Sequence, residues 1–547
     1  MINAQDTYVI GVDVGTGSVR AGVFDASGRM LAIAKQDITL YHHAGAVVEQ
    51  SSNEIWAAVC AAVRRALGQA AVPTAQVSGI GFDATCSLVV LGAGGTPLAA
   101  GPSDDPERNI IVWMDHRAVA QADRINATGH AVLNYVGGRI SPEMETPKLL
   151  WLFENRRAVF DAAWQFMDLA DFLTWRASGD LARSTCTVAC KWTYLAHEQR
   201  WDDSYFRAIG LGVLADEKYA RIGQHIVAPG TKLGQGLTVQ AAAELGLQPG
   251  TAVATGIIDA HAGGLGTVGA DASAFRSLAY VFGTSSCTMT TTRDPVFVPG
   301  VWGPYFSAMV PGTWLNEGGQ SATGAAIDHL LSLHPLAAET RRAAQEQGLA
   351  LPALLAQWIE RDTADLSDAV RLAHEVHVVP EFLGNRAPRA DPQARAVIAG
   401  LGMENDIASL VTLYIAGMCG IAYGLRQIIE AQAAAGASVE RIVISGGAGR
   451  PHLVRQLLAD ATGLPVQAAD AEEPVLLGAA ILGSVAAGTH ADVASAMMAM
   501  TRAGRTYQPS AGAIAALHLR RYDAFLRLQD LQRQLQVAAM PTAVLHR

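Results

Sequence analysis

The chain opens on small and β-branched apolar residues set in short runs. Residues 8–14 (Tyr-Val-Ile-Gly-Val-Asp-Val) read as a strand that stops at Gly15, and residues 18–24 (Ser-Val-Arg-Ala-Gly-Val-Phe) resume as a second. The glycine-rich Gly15-Thr16-Gly17 between them predicts a hairpin turn. A third strand is expected over 30–34, after the Asp25-Ala-Ser-Gly28 turn. The period then changes to that of an amphipathic helix over 52–67, with Ser51 or Ser52 as its cap. A further apolar run, 77–82, leads into Asp83-Ala-Thr85-Cys86-Ser87. Strands followed by helices at this spacing predict an α/β architecture.

From 115 to 221 the pattern is helical and richer in Trp and Arg, with a loop around 137–147, and it reads as an insertion over a substrate site. The apolar stretch 251–258 then delivers Asp259-Ala-His261-Ala-Gly263-Gly264. Next, Leu278-Ala-Tyr-Val-Phe-Gly283-Thr284-Ser285-Ser286 repeats the opening motif: apolar strand, Gly-Thr, small hydroxyl residues, strand. Gly283 lies 268 positions after Gly15, about half the chain, which suggests a duplicated fold with two phosphate hairpins facing each other. Beyond it come an apolar helix over 407–433, a strand at 441–445, the turn Gly446-Gly447-Ala448-Gly449 and a helix opened by Pro451. A closing amphipathic helix is expected over 513–536.

Composition narrows the classes. A chain of 547 residues exceeds what one core organises, so two or more domains are expected. Half of it is hydrophobic and 16% charged, as in globular proteins. The net charge of −10 and scattered basic residues argue against a nucleic-acid partner. Six irregularly placed cysteines make no disulfide framework, and no paired CxxC zinc pattern is present; Cys186 and Cys190 read as small apolar core residues. Glycines, at strand ends, read as serving turns and ligand loops. The longest apolar run, 475–487, falls short of the ~20 residues that span a bilayer. A cytoplasmic protein with no membrane partner is expected.

Phosphoryl transfer demands donors around the phosphates, a divalent metal and a base for the attacking hydroxyl. Gly15, Gly17 and Gly283 admit backbone N–H groups to phosphate oxygens, and Thr16, Ser18, Thr284 and Ser285 add hydroxyl donors. Asp13, ending the first strand, can hold Mg²⁺ or simply satisfy a hairpin turn; the second copy at Gly283 favours the first reading. Asp259 can be a helix N-cap or a general base. The sets around Asp83, Asp115 and Glu317–Gln320 offer a polyol paired donors and acceptors, although each alone also reads as a loop. Lys191 is flanked by apolar residues, and His261 reads as structural.

Taken in order, Asp13-Val-Gly-Thr-Gly-Ser, Glu49-Gln50 with Trp56, Gly-Phe-Asp83-Ala-Thr, Trp113-Met-Asp-His-Arg117, Gly-Ile-Ile-Asp259-Ala-His-Ala-Gly, Phe282-Gly-Thr-Ser and Ser445-Gly-Gly-Ala-Gly449 resemble the FGGY carbohydrate kinases. The resemblance runs from about residue 8 to 490. The stretch Gly384-Asn385-Arg386-Ala-Pro388 is similar to the pentulose-kinase branch that includes the D-ribulokinases. This resemblance implies two actin-like (ribonuclease-H-like) domains, 1–262 and 263–547, with a deep interdomain cleft. It implies Asp259 as catalytic base, and Asp13 with Asp259 as the Mg²⁺ site. Gly15, Thr16, Gly17, Ser18, Gly283, Thr284 and Ser285 would surround the ATP phosphates. Gly446, Gly447 and Ala448 would lie against the adenosine, with Gln320 nearby. Asp83, Cys86, Asp115, Lys191, Asp259 and Glu317 would meet the sugar.

The implied activity is ATP-dependent phosphorylation of a ketopentose, D-ribulose to D-ribulose 5-phosphate. L-ribulokinase and D-xylulokinase activities are the rivals within the class, and a non-catalytic actin-like ATP switch is the rival outside it. Glycerol kinases carry an Arg-Glu pair where this chain has Asp83-Ala84-Thr85, which disfavours glycerol, while the slim Cys86 leaves the pentulose open. The partners implied are the sugar and ATP, and self-association, where it occurs, as a homodimer.

Overall fold

A computed structural model describes residues 7–269 and 274–539. The opening apolar runs fold as expected into the strand Tyr8–Val14 and the antiparallel strand Ser18–Asp25, followed by Met30–Asp37, three residues longer than its pattern suggested. The strand Val77–Ala84 lies parallel to the first, and Ala252–Val253 and Ile257–Ile258 pair with it in turn. The helix Ser52–Ala70, capped by the Ser51 side chain accepting from the Glu54 N–H, covers one face. Its fully buried Val59, Ala62, Val63 and Ala66 follow the 3.6-residue period.

The second sheet repeats this plan. Ser277–Phe282 forms an antiparallel hairpin with Ser286–Thr292, which pairs with Trp314–Gln320, and Arg441–Ser445 runs parallel to the first strand of the hairpin. Arg441–Ser445 thus occupies the place that Val77–Ala84 holds in the first sheet. The one difference of consequence is chemical. Asp13 pairs with Asp83 in the first sheet, whereas Val281 pairs with Ser445 at the matching position of the second. Both carboxylates therefore belong to the first half.

The helices Asp259–Thr267 and Pro474–Ala486 lie against each other between the sheets. Glycine makes this possible: a Cβ on Gly478 would sit 2.0 Å from the Ala262 carbonyl oxygen, and one on Gly266 1.9 Å from that of Pro474. In the strands, a Cβ on Gly11 or Gly81 would meet the carbonyls of Leu476 or Ala479 at 2.0 Å. The expectation that glycines serve turns and ligand loops thus misses a principal use, backbone-to-backbone packing of a helix from the second half on the sheet of the first.

The helix Ile407–Ala434, opened by a capping box between Asp406 and Ser409, is long and apolar enough to cross a membrane by length and composition. Two thirds of its apolar window are buried inside the protein. Between the strand Val77–Ala84 and Ala252–Val253 lies a segment of short helices whose strands Leu88–Leu91, Ile110–Ile111 and Gln165–Asp168 join Tyr41–His42 and Val48–Gln50 in a five-stranded sheet.

Candidate active site

Hairpin register builds the acidic centre. The turn at Gly15–Gly17 places Asp13 opposite Arg20, and the parallel neighbour places Asp83 alongside. The Arg20 guanidinium is paired with Asp13, and its other arm donates to Glu473 Oε2 at 2.6 Å. Glu473 precedes the Pro474–Ala486 helix, so one arginine joins the carboxylate centre of the first half to the second. Asp83 is fully buried, with its carboxyl against that of Asp13. Burial, and then the Asp13 and Asp259 carboxylates, push its pKa well above the usual carboxylate range.

Asp259 arrives from the other side. Ile257 and Ile258 pair in register with Asp83 and Ala84, which sets the following residue beside the same carboxylates. The helix N-cap is Ile258, not Asp259; the aspartate is the first helical residue and accepts the Ala260 N–H at 2.7 Å. Burial and the neighbouring Asp13 raise it to about 6. A carboxylate with that value is largely ionised at neutral pH yet basic enough to accept a hydroxyl proton.

Both glycine turns open on the same space. Gly15 and Thr16 of the first, and Gly283, Thr284 and Ser285 of the second, line one cavity of about 450 Å³ together with Asp13, Arg20 and Asp259. In the second turn the Thr284 carbonyl accepts the N–H groups of Thr323 and Ala325 at 2.9 and 3.1 Å, and the Gly283 carbonyl that of Gly324 at 3.0 Å. Because the peptides are trans, the N–H groups of Thr284 and Ser285 point away from the helix Gly324–Ser332 that those bonds reach. In the first turn the Trp113 indole donates to Thr16 Oγ1 at 3.0 Å and the Gln50 amide to the Thr16 carbonyl at 2.9 Å.

Cys86, Lys191 and Glu317 line the same cavity. Lys191 ends the short helix Thr185–Lys191 with its ammonium 4.6 Å over the Trp302 ring, and the Arg386 guanidinium lies 5.0 Å from the same ring. Arg386 also faces Glu143 at 3.8 Å, and Glu143 faces His116 at 3.5 Å. Burial would raise the Glu317 pKa, but Lys191 and His261 outweigh it and hold the carboxylate down at about 2. Burial would likewise lower Lys191, yet the Glu317 carboxylate holds the ammonium well above its usual value. Burial pushes the Cys86 thiol up, so it stays protonated.

Other residues singled out in the sequence lie elsewhere. Asp115 is not part of the cavity wall; its carboxylate takes the Arg117 guanidinium at 2.7 Å and the Val48 N–H at 2.7 Å, which leaves it a buried structural anchor. Asp83 lies one layer beneath the wall. Gln320 is held by the Ile421 carbonyl (3.1 Å) and the Tyr280 hydroxyl (3.2 Å) and borders a separate small cavity with Gly424. Gly17 and Ser18 are outside the lining, since the Gly17 carbonyl and Ser18 pair with Ile38 and Asp37 in the sheet. Gly446 opens on a neighbouring space of about 480 Å³ with Ser445, Arg450, Asp470 and Glu473. Gly447 is exposed, with nothing within 4 Å of a would-be Cβ, and Ala448 lies against Gly324.

Arg20, Glu143, Trp302 and Arg386 line the cavity without having been singled out as site residues. Arg20 was placed by the register: four residues, 15–18, separate the paired Val14 and Val19, which sets position 20 opposite position 13, whereas the three-residue turn read from the sequence would set Val19 there. Cys186 and Cys190 are buried as expected but are not merely apolar, since Cys186 Sγ lies 3.1 Å from His261 Nδ1.

The family model for the N-terminal domain of the FGGY family of carbohydrate kinases matches residues 8–266, and that for the C-terminal domain matches residues 278–487. A human FGGY carbohydrate kinase domain-containing protein is 46% identical over 97% of this chain and 97% of its own length. A D-ribulokinase of Saccharomyces cerevisiae is 38% identical over 89% of this chain and 73% of its own. Among solved structures, the xylulose kinase of Rhodospirillum rubrum superposes with a TM-score of 0.79 at 22% identity, covering 96% of this chain and 99% of that one.

Proposed function

The chain belongs to the FGGY family of carbohydrate kinases and is an ATP-dependent sugar kinase; from that premise we propose that its acceptor is a ketopentose, D-ribulose, converted to D-ribulose 5-phosphate. One observation carries the chemistry. Asp259, both glycine turns and the Cys86–Lys191–Glu317 wall line a single cavity, so a bound hydroxyl, its base and the phosphate cradle share one space. The choice of D-ribulose is supported by the D-ribulokinase relative from yeast.

In this reading the ionised Lys191 and Glu317 offer the sugar a donor and an acceptor, and Asp259 takes the proton of the hydroxyl that attacks the γ-phosphate. The N–H groups of Thr284 and Ser285 and the Thr16 turn stabilise the transferring phosphoryl group. The space beside Gly446 receives the adenosine. Mg²⁺ suits the carboxylates: Asp13, Asp83 and Asp259 converge closely enough that their charges raise one another's pKa, a repulsion that a divalent cation would relieve. Asp13 and Asp259 would hold the ion, which neutralises phosphate charge when bound.

A coupled ADP-release assay over D-ribulose, L-ribulose, D-xylulose and glycerol tests the reading. D-ribulose should give the highest kcat/KM, and Asp259→Asn should lower turnover by ~10²–10⁴-fold while sugar binding stays measurable by calorimetry. Preference for another sugar would reassign the substrate. ADP release that ignores every sugar would favour a nucleotide switch instead.

A further inference from the structure

His261 follows Asp259 by two residues, is wholly buried, and is not part of the cavity wall. Its two ring nitrogens face different elements. Nδ1 lies 3.1 Å from Cys186 Sγ, on the helix that ends in Lys191, and Nε2 lies 3.2 Å from Glu317 Oε2, on the second sheet. One imidazole therefore touches the three elements that present Asp259, Lys191 and Glu317, across the boundary between the halves.

The proton on Nε2 follows from its neighbour. Glu317 is an ionised acceptor, so Nε2 must donate. This holds whether the Cys186 proton stays on sulfur, with Nδ1 accepting, or moves to Nδ1 to give an imidazolium beside a thiolate. The Ile258 N–H, 3.5 Å from Cys186 Sγ, helps hold that sulfur in place. Glu317 Oε2 is thus committed to His261. Its Oε1 has no hydrogen bond within the described protein, while the residue lines the cavity.

We propose that His261 is a positioning residue for sugar recognition: its Nε2–H engages one oxygen of Glu317 and orients the other to accept a sugar hydroxyl. The proposal rests on the ketopentose-kinase reading of the cavity. Recognition at Glu317 then depends on a side chain that never touches the substrate. Cys186 sets the tilt of the ring, so the sulfur serves the same end at one remove.

The test uses the full-length protein and two substitutions that divide the ring. Glutamine reproduces a donor near Nε2, and asparagine reproduces only the Nδ1 end. His261→Asn should raise the KM for the ketopentose at least about tenfold, the range for losing a hydrogen bond to a charged group, with the KM for ATP unchanged. His261→Gln should restore the sugar KM to within about threefold of wild type. His261→Asn combined with Glu317→Gln should be no worse than Glu317→Gln alone, because both remove the same interaction.

Equal losses in both His261 variants, tracking a common fall in melting temperature, would overturn the proposal in favour of simple packing. So would one equivalent of zinc in the purified wild-type protein that disappears in Cys186→Ser, since the three atoms of Cys186, Cys190 and His261 lie within 4.8 Å of one another and His261 would then be a metal ligand. Wild-type protein that phosphorylates no ketopentose would instead overturn the substrate reading. A wild type that does so, with a His261→Asn variant of unchanged sugar KM, would overturn only the role given to His261.

Discussion

At the scale of single residues, the site is governed by where charge is buried. Asp259 is raised to about 6 by burial and then by Asp13, so kcat/KM should fall as pH drops through about 6, where the base becomes protonated. Asp13→Asn removes the second cause and should move that limb to lower pH, whatever it does to the maximal rate; an unmoved limb would mean that Asp13 does not act on Asp259. The same shift has a stability consequence of definite sign. The folded state binds the Asp259 proton more tightly than the unfolded chain, whose carboxylate titrates near 3.8. The cost of ionising it is therefore absent below about 4 and complete above about 6. Asp259→Asn should melt above wild type at pH 8, and the difference should vanish near pH 4. Much of this residue set was readable in the chain: Asp13, Thr16, Asp259 and Gly283 sit beside strand ends whose pattern is plain. Asp115 was not readable, because a strand-end carboxylate looks the same whether a sugar or Arg117 will meet it.

At the scale of elements, the controlling feature is the helix Pro474–Ala486 riding on bare backbone. Gly478→Ala should destabilise the protein by about 1–3 kcal/mol or more, the cost of forcing a methyl into packed atoms, since its Cβ would lie 2.0 Å from the Ala262 oxygen. Gly68 gives the opposite expectation. It lies exposed within the helix Ser52–Ala70, and nothing is within 4 Å of its would-be Cβ. Gly68→Ala should stabilise by about 0.5–1 kcal/mol, because alanine loses less backbone freedom on entering a helix. Urea denaturation of the two variants decides both signs, and like signs would refute the packing argument. Element existence was largely legible, from the β-rich apolar runs at 8–14 and 18–24 and the helical period at 52–67. The partner each apolar face meets was not, because a buried face is encoded in the chain but the element that buries it is not.

At the scale of the whole molecule, the two halves are not independent bodies. One hydrophobic cluster joins Val9 and Phe24 of the first sheet to Leu476, Ala480 and Ile481 of the second-half helix and to Ala279 and Val443 of the second sheet. The first sheet's packing surface is thus completed by residues far along the chain. Thermal unfolding should accordingly show one cooperative transition, with calorimetry and circular dichroism coincident, instead of one step per half. Two resolved transitions would show that the shared helices can separate without loss of either core.

The sequence by itself determined the duplicated hairpins, the α/β class and the positions of the two glycine turns, because local patterns of apolar period and glycine carry these within a few residues. Only the tertiary structure decided that both turns open on one cavity, that Arg20 is shared by Asp13 and Glu473, and that His261 connects Cys186 to Glu317. Those facts depend on the register and packing of segments up to 453 positions apart, and through-space contact of that kind leaves no periodic trace in the chain.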